Sequence, residues 1–219
     1  MASKNKPVGD PKPPDPPASK RAMVTTRAGT IALLGRPNVG KSTLLNALLK
    51  ERIAIVSHHA QTTRDRIAGI LTRDGVQFVF LDTPGLHRAR HKLGEHMNEV
   101  ARAAAAECDV ALFLTEPETR AGKDGVEVGT TVREDDRAIL AAIPEKTAIV
   151  LVLNKIDKVR KKQALMPLLE AYGKERDLAA VVPVSALKGD GMSRILGELA
   201  KLLPEGEPLY AEDELSDKP

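Results

Sequence analysis

Short apolar runs alternate with amphipathic segments along most of the chain. The runs have the length of buried strands and are rich in Val, Ile, Leu and Phe. They are residues 30–34, 66–71, 76–81, 109–115, 147–153 and 179–184. The segments between them place apolar residues at helical spacing. They are residues 41–49, 93–107, 134–142, 161–172 and 192–203. This alternation is typical of a doubly wound α/β sheet with helices on both faces.

One connection differs from the rest, because only residues 72–75 separate the runs at 66–71 and 76–81. This link contains Asp74 and Gly75, and an Asp-Gly pair supplies the positive φ that a tight hairpin turn needs. We therefore predict an antiparallel pair at one edge of an otherwise parallel sheet. Residues 116–132 are polar and longer than an ordinary connection, and we predict a mobile surface loop there.

The two ends differ from the body in composition. Residues 1–28 are rich in Pro and Lys with few apolar side chains, so we predict a disordered tail. A solvated arm is the simpler interpretation of its basic charge, and contact with RNA or an acidic lipid surface is the alternative. Residues 205–219 are acidic and resemble a linker. The remaining residues, 29–204, have the length of one domain, and the whole chain of 219 residues carries a net charge of only +3.

The sequence contains no apolar run of the roughly 18 residues that a membrane span needs, and no signal-peptide pattern at its start. It has one cysteine, which cannot form an internal disulfide. These features indicate a cytoplasmic protein.

The strongest candidate site follows the run at 30–34 and precedes the helical segment at 41–49. Glycines in such a loop let several backbone N–H groups converge on a phosphate, a lysine adds a cation, and a hydroxyl can reach magnesium. The loop and the first residue after it are Gly35, Arg36, Pro37, Asn38, Val39, Gly40, Lys41, Ser42 and Thr43. This pattern predicts binding of a nucleoside triphosphate.

Further polar motifs follow other predicted strands, at the sheet edge where ligands bind in such folds. Asp82 and Gly85 come after the run at 76–81, where a carboxylate can reach the magnesium shell and a glycine N–H the γ-phosphate. Asn154, Lys155 and Asp157 come after the run at 147–153. A carboxylate at this place can accept hydrogen bonds from N1 and N2 of guanine, and adenine lacks those donors.

The last predicted strand is followed by Ser185, Ala186 and Leu187. The backbone N–H of Ala186 is a candidate donor to guanine O6. Each short motif alone has little weight, but their order and their positions at strand ends together predict a GTP or GDP site with Mg²⁺.

With these motifs the chain resembles the translation-factor class of P-loop GTPases, and within it the bacterial Era family. The loop at 35–42, the segment 61–64, the run from Asp82 to His87 and the segment 210–217 carry the likeness. The resemblance implies a P-loop NTPase three-layer sandwich with a mostly parallel six-stranded sheet and one antiparallel edge strand. It also implies a monomeric GTPase acting in small ribosomal subunit assembly and 16S rRNA maturation. Peripheral membrane association is a further interpretation that stays open.

The same resemblance implies that Thr63 joins Ser42 and Asp82 as a magnesium ligand. It also implies a following RNA-binding KH domain, whose Gly-x-x-Gly loop the chain does not contain in such a position, so rRNA binding by this polypeptide is in doubt. Leu86 stands where many GTPases of this class have the glutamine that orients the attacking water.

Catalysis then depends on Lys41, Asn38, Thr63 and Gly85, and we expect slow unassisted hydrolysis. Asn38 either helps coordinate K⁺, as the resemblance suggests, or tolerates a tight loop conformation, and both interpretations stay open. A nucleotide-gated binding module with negligible hydrolysis is the alternative function. The domain of a related tRNA-modification or ribosome-assembly GTPase is another.

Overall fold

The computed structural model describes residues 26–50, 54–55, 67–81, 93–122 and 125–211. The strands are β1 (Arg27–Gly35), β2 (Ala54–Ile55), β3 (Ile67–Arg73), β4 (Val76–Leu81), β5 (Val110–Thr115), β6 (Thr119–Gly122), β7 (Gly125–Val128), β8 (Ala148–Leu153) and β9 (Ala180–Pro183). The α-helices are α1 (Lys41–Leu49), α2 (Leu93–Ala106), α3 (Glu134–Ala142), α4 (Met166–Glu175) and α5 (Met192–Leu202). None of the described helices is long and apolar enough to cross a membrane.

The main sheet has the strand order β2-β3-β4-β1-β5-β8-β9. Strands β4, β1, β5, β8 and β9 are parallel, whereas β3 is antiparallel to both of its neighbours. The predicted α/β sandwich with one antiparallel strand is therefore confirmed. The two-residue β2 adds a seventh strand to the predicted six, and a strand this short has no periodic pattern by which the sequence could reveal it.

Both faces of the sheet are buried, as parallel strands require. In β1, Ile31 and Leu33 join the core that lies under α1 and α5. Ala32 and Leu34 point the other way and join the core that lies under α2, α3 and α4. The near-continuous apolar character of the central strands follows from this two-sided burial, and it explains why the sequence pattern located them well.

The β3–β4 connection has the predicted hairpin geometry. Asp74 has φ of 52° and Gly75 has φ of 78°. Two successive residues with positive φ match the twist of antiparallel strands, and this is the conformation that Asp-Gly adopts with the least strain. The hairpin holds β3 in register with β4 from the pair Arg73 and Val76 to the pair Gly69 and Phe80, beyond which the register shifts.

The prediction of a mobile loop at 116–132 is wrong. Strands β6 and β7 form a separate antiparallel pair, with Thr119 opposite Val128 and Gly122 opposite Gly125. The N–H of Gly129 donates to the carbonyl of Glu118 at 2.8 Å, which closes the base of this hairpin. Val128 also packs against the core on the α3 and α4 face. This anchoring orders a segment whose polar sequence suggested a loop.

The predicted helix at 161–172 is also wrong at its start. Residues Lys162–Leu165 form a 3₁₀ turn, and α4 begins only at Met166. Pro167 lies in the first turn of α4. Proline lacks an N–H and clashes with the carbonyl four residues earlier, so an α-helix can start there but cannot run through it.

The two ends of the described domain lie next to each other. β1 begins at Arg27, so the last two residues of the predicted 1–28 tail belong to the sheet. The Arg27 guanidinium donates to the carbonyls of Ala200, Lys201 and Leu203 at 3.0–3.3 Å and pairs with Glu205 at 3.0 Å. Together these contacts cap the last turn of α5 and tie the start of the first strand to the end of the last helix.

The first residues of the predicted linker pack on the domain. Gln77 is buried in β4, and its side-chain amide donates to the carbonyl of Tyr210 at 2.8 Å. Its side-chain oxygen accepts from the Tyr210 N–H at 3.0 Å. The Tyr210 ring adds to a small core with Ile67, Ile70 and Val79. Residues 212–219 lie outside the described part.

Candidate nucleotide-binding site

The phosphate loop links β1 to α1, and its backbone conformation requires its two glycines. Gly35 has φ of 141° and Gly40 has φ of 102°. A Cβ on Gly35 would lie 2.3 Å from the carbonyl oxygen of Leu114, and one on Gly40 would lie 2.4 Å from the side-chain nitrogen of Asn154. Larger residues would push the loop away from β5 and from the segment after β8. The loop therefore packs directly on two neighbouring strand ends.

The loop ends at the N-terminus of α1, an end of a helix where the first N–H groups have no partner within the helix and the helix dipole is positive. Gly40 is the N-cap, and among the described residues no side chain caps the helix there. Ser42 and Thr43 lie in its first turn, which contains no acidic residue. Backbone N–H groups at such an end are available to an anion. The arrangement fits a phosphate group.

Lys41 lies over the loop. Its ammonium donates to the carbonyls of Gly35 and Arg36 at 2.8 and 2.9 Å. These contacts hold the positive charge against the backbone of the loop. A cation in this place can bind phosphate oxygens with little rearrangement.

Asn154 connects the phosphate loop to the base motifs. It is buried, with 2% of its surface exposed. Its side-chain nitrogen donates to the carbonyl of Val39 at 2.8 Å, and its side-chain oxygen accepts from the N–H of Ala186 at 3.0 Å. One amide thus holds three segments that are far apart in sequence.

Lys155 provides a second connection. It follows β8 with φ of 61°, and its ammonium donates to the carbonyl of Asn38 at 2.6 Å. Glu116, at the end of β5, pairs with the same ammonium at 2.8 Å. Asn38 itself has φ of 63°, a conformation that asparagine tolerates better than most residues. This φ gives Asn38 a conformational role and leaves the K⁺ interpretation open.

Asp157 is prepared to act as a charged acceptor. The hydroxyl of Ser185 donates to its carboxylate at 2.6 Å. This hydrogen bond lowers the pKa of Asp157 below its ordinary value, against a smaller opposing effect of burial. The carboxylate is therefore ionised at neutral pH, as an acceptor for the N1 and N2 hydrogens of guanine must be.

The backbone N–H of Ala186, the predicted donor to guanine O6, donates to the side-chain oxygen of Asn154 at 3.0 Å. A base oxygen must therefore share this donor or use a neighbouring one. Leu187 is 80% exposed and adds apolar surface at the same place.

The side chain of Arg36 turns away from the phosphate loop. Its guanidinium pairs with the buried carboxylate of Asp136 on α3 at 2.8 Å, so only its backbone can contribute to phosphate binding by the loop.

Pro37 and Val39 lie in the loop between β1 and α1, as the sequence predicts. Thr63, Asp82 and Gly85 lie outside the described residues, as does Leu86. Within the described ranges, no three His, Cys, Asp or Glu residues cluster as a metal site.

Comparison with known proteins places these motifs in a family. The model of the 50S ribosome-binding GTPase family matches residues 30–155. The chain belongs to this family. The match contains the phosphate loop and reaches the first two residues of the Asn154 motif.

Individual members of this GTPase family are similar to the chain over most of its length. GTPase Era of Staphylococcus haemolyticus is 40% identical over 198 residues, which cover 90% of this chain and 62% of that protein. A solved structure of an Aquifex aeolicus Era variant bound to GDP and AlF₄⁻ is 37% identical, with a TM-score of 0.65, covering 88% of this chain and 62% of the other. Another solved Era structure holds MgGDPNP and nucleotides 1506–1542 of 16S rRNA, with 37% identity, a TM-score of 0.66 and coverage of 89% and 63%.

The resemblance to Era is thereby confirmed for this part of the molecule. The chain spans about three fifths of the length of these relatives.

Several residues around the site were missed by the sequence analysis. They are Thr115, Glu116, Asp136 and Tyr172. A signal for Asp136 existed, since helical spacing puts it on the same face as the buried Ile139 and Leu140. Thr115 and Glu116 end a strand next to the phosphate loop, which is also a position that favours function.

Proposed function

We propose that this GTPase-family chain binds GTP and GDP with Mg²⁺ and hydrolyses GTP to GDP and phosphate. The observation that carries the proposal is the bridge through Asn154, which joins the phosphate loop at Val39 to the base segment at Ala186. Phosphate contacts and base contacts are thus set by a single buried side chain. The ionised Asp157 then selects guanine over adenine.

The nucleotide-binding set is the one that the sequence predicts. It comprises Gly35, Arg36, Pro37, Asn38, Val39, Gly40, Lys41, Ser42, Thr43, Asp82, Gly85, Asn154, Lys155, Asp157, Ser185, Ala186 and Leu187. Arg36 contributes through its backbone alone. Leu187 offers an exposed apolar side chain against which a base can lie.

Hard oxygen ligands suit Mg²⁺, and the first turn of α1 provides one in Ser42, with Thr63 and Asp82 completing the proposed set. When bound, the metal neutralises negative charge on the phosphates. Lys41 and the N–H groups of the loop stabilise the same charge from the protein side. Gly85 contributes a backbone N–H to the γ-phosphate.

We expect hydrolysis to be slow without a partner, because a leucine at position 86 can neither donate a hydrogen bond to water nor accept one. Unassisted small GTPases turn over at roughly 10⁻⁴ to 10⁻³ s⁻¹, and a stabilising cation or arginine in trans can add about 10³ to 10⁵. Single-turnover phosphate release from GTP, with and without small ribosomal subunits, tests the proposal. Release above the protein-free control supports it, and none in either sample contradicts it.

Asn38 is proposed to help K⁺ stimulate turnover. Hydrolysis should then be faster in K⁺ than in Na⁺ at equal ionic strength, and Asn38→Ala should remove the difference. Asp74→Ala, in the β3–β4 turn, is a matched control that should keep it. Equal rates in the two salts for the unmodified chain would rule out the K⁺ role.

The cellular role that fits best is a timer in small ribosomal subunit assembly and 16S rRNA maturation, by a cytoplasmic monomer. The solved Era structure with a 16S rRNA segment supports this role. Direct RNA binding by this chain and peripheral membrane association are secondary parts of the proposal. Cosedimentation with small subunits in GTP and in GDP tests the ribosomal role, and equal absence from the pellet in both states argues against that role.

A nucleotide-gated binding module with negligible hydrolysis is the second candidate, and Leu86 is the observation that favours it. The single-turnover assay separates the two, since a module binds GTP tightly and releases no phosphate. With either function we propose a tail over 1–28, a domain over 29–204 and a linker over 205–219. The contacts of Arg27 and Tyr210 extend the domain outward past both of these borders.

A further inference from the structure

A buried carboxylate lies behind the phosphate loop. Asp136, in the first turn of α3, is fully buried. One of its oxygens accepts from the Arg36 guanidinium at 2.8 Å. The other is 2.8 Å from the hydroxyl of Thr115 and 2.8 Å from that of Tyr172. The two hydroxyl oxygens are 2.9 Å apart. The two hydroxyl hydrogens are thus shared among three short contacts between oxygen atoms.

The cluster formed by Arg36, Thr115, Asp136 and Tyr172, here called the Asp136 cluster, touches both halves of the nucleotide site. The carbonyl of Arg36 is one of the two that hold the Lys41 ammonium, at 2.9 Å. The carbonyl of Thr115 accepts from the backbone N–H of Asn154 at 2.8 Å. Asp136 is therefore connected to the ammonium of Lys41 through one residue, Arg36, and to Asn154 of the base motif through one residue, Thr115.

Stability alone is a weak reason for this arrangement. A buried ion pair is often no more stabilising than apolar residues of similar volume, because both charges lose their hydration. Arg36 also has a buried Nη2 with no hydrogen-bond partner in the part of the chain that the structure describes, which adds a further cost. A hydrogen-bonded ion pair does, however, fix the position of the Arg36 guanidinium relative to the Asp136 carboxylate. Apolar contacts would allow several relative positions.

The outer helices hold the carboxylate in place. Arg137, the next residue on α3, pairs with Glu175 on α4 at 2.7 Å. Arg176 donates to the carbonyls of Leu140 and Ile143 at the end of α3 at 3.2 and 3.0 Å. Side-chain contacts thus join α3 to α4, and from these helices Asp136 and Tyr172 reach Arg36 in the phosphate loop and Thr115 at the end of β5.

We propose that Asp136 is a positioning residue for nucleotide binding, which holds the phosphate loop through Arg36 at a fixed spacing from the base motif through Thr115. The inference rests on the proposed nucleotide site. On this proposal, α3 and α4 affect the affinity for the nucleotide although neither helix contacts it.

Asp136→Asn tests the proposal, because the amide keeps the shape and removes the charge facing Arg36. Affinity for fluorescent GDP and for a slowly hydrolysed GTP analogue is measured at a temperature where circular dichroism shows a folded chain. We expect both affinities to fall about tenfold to a hundredfold, the loss expected for a charge-assisted hydrogen bond. In steady-state hydrolysis KM should rise by a similar factor while kcat changes less than about threefold, since the spacing acts on binding.

Leu168→Ala is the matched control, since Leu168 lies in the same core under α4 and takes no part in the Asp136 cluster. It should lower the melting temperature and leave nucleotide affinity within about twofold. The double variant Arg36→Gln with Asp136→Asn replaces the ion pair by two amides. It should bind GDP more tightly than Asp136→Asn alone, because no unpaired guanidinium is then buried.

Tyr172→Phe and Thr115→Val each remove one hydroxyl, and they replace Asp136→Asn if that variant does not fold. Both should weaken GDP binding by about twofold to tenfold. Wild-type affinity in folded Asp136→Asn, or in both hydroxyl variants, would overturn the inference and leave the proposed function intact. Absence of nucleotide binding by the unmodified chain would instead refute the proposed function and the inference with it.

Discussion

The bridge through Asn154 makes a prediction that joins stability to binding. Asn154→Ala removes the side-chain amide and leaves the carbonyl of Val39 and the N–H of Ala186 without their partner. Both residues are buried, so water does not readily replace the lost hydrogen bonds. The substitution also removes the group against which Gly40 packs.

The expected loss follows from these two orphaned groups. Each buried polar group left unpaired costs about 1–3 kcal/mol, so the free energy of unfolding should fall by about 2–6 kcal/mol. Natural domains are stable by only about 5–15 kcal/mol, so the variant is expected to be marginal without nucleotide. GDP at 100 times its Kd would restore about 2.7 kcal/mol in a chain that still binds it.

Urea unfolding followed by circular dichroism measures the free energy, and dissociation of a fluorescent GDP measures the site. The matched control is Thr147→Val, which removes one buried hydrogen bond to the carbonyl of Ala105 next to the other end of β8. It should lose about 1 kcal/mol of stability and keep wild-type GDP affinity. Asn154→Ala with a stability within 0.5 kcal/mol of wild type and an unchanged dissociation rate would refute the bridge.

Three further predictions concern other contacts. Ser185→Ala should raise the pKa of Asp157 toward its ordinary value of 3.8, since the lowering is due first to that hydrogen bond. A lowered pKa keeps the Asp157 carboxylate ionised down to a lower pH. Guanine affinity should therefore be flat from about pH 8 to pH 5 in both proteins, and on further acidification it should be lost at a higher pH in the variant than in wild type. A carboxyl NMR titration checks the direction, and an unchanged pKa would contradict it. Gly40→Ala should weaken GDP binding at least tenfold, because its positive φ and its close neighbour leave no room for a Cβ; wild-type binding in a titration would show that the loop can shift. Gln77→Leu should speed amide exchange at Tyr210 about tenfold or more, as two hydrogen bonds are lost, and protection equal to wild type would show that the ring alone holds this segment.

The site could be predicted where its chemistry is local in sequence. The phosphate loop needs two glycines, a lysine and a hydroxyl within a few residues, and the strand and helix beside it have clear apolar periods. The base motifs sit at strand ends, and parallel strands bring such ends together without any knowledge of side-chain contacts. Asn154 and Asp157 were found in this way.

The Asp136 cluster could not be predicted in the same way. Arg36 and Asp136 are 100 residues apart, and Asp136 follows two other acidic residues that are exposed. Helical spacing indicates which of the three neighbouring carboxylates is buried, but no local pattern says that it meets the guanidinium of Arg36 in the folded chain. Arg36 was assigned to the nucleotide because it lies in the loop, whereas its side chain turns to the outer layer.

Two errors in the fold have simpler causes. Strands β6 and β7 have four residues each, too few to show a reliable period of two. Their pairing depends on Val128 packing against a distant core. The second error is the predicted start of α4 at residue 161. Here the sequence did contain a signal, since Pro167 fixes where α4 can begin.

The contacts of Arg27 with the end of α5 have a consequence for rearranging the chain. The N–H of Gly206 donates to the carbonyl of Thr26 at 3.3 Å, so the backbone just before β1 lies beside the backbone that follows α5. This place is at the start of β1, whereas the phosphate loop is at its end, about 25–30 Å away for a strand of this length. A short peptide could join residue 206 to residue 26 in a chain that gives up the Gln77–Tyr210 contact. New ends could open between Gly122 and Gly125 without cutting the main sheet. Such a circular permutant should keep the site and carry its termini on the small hairpin instead.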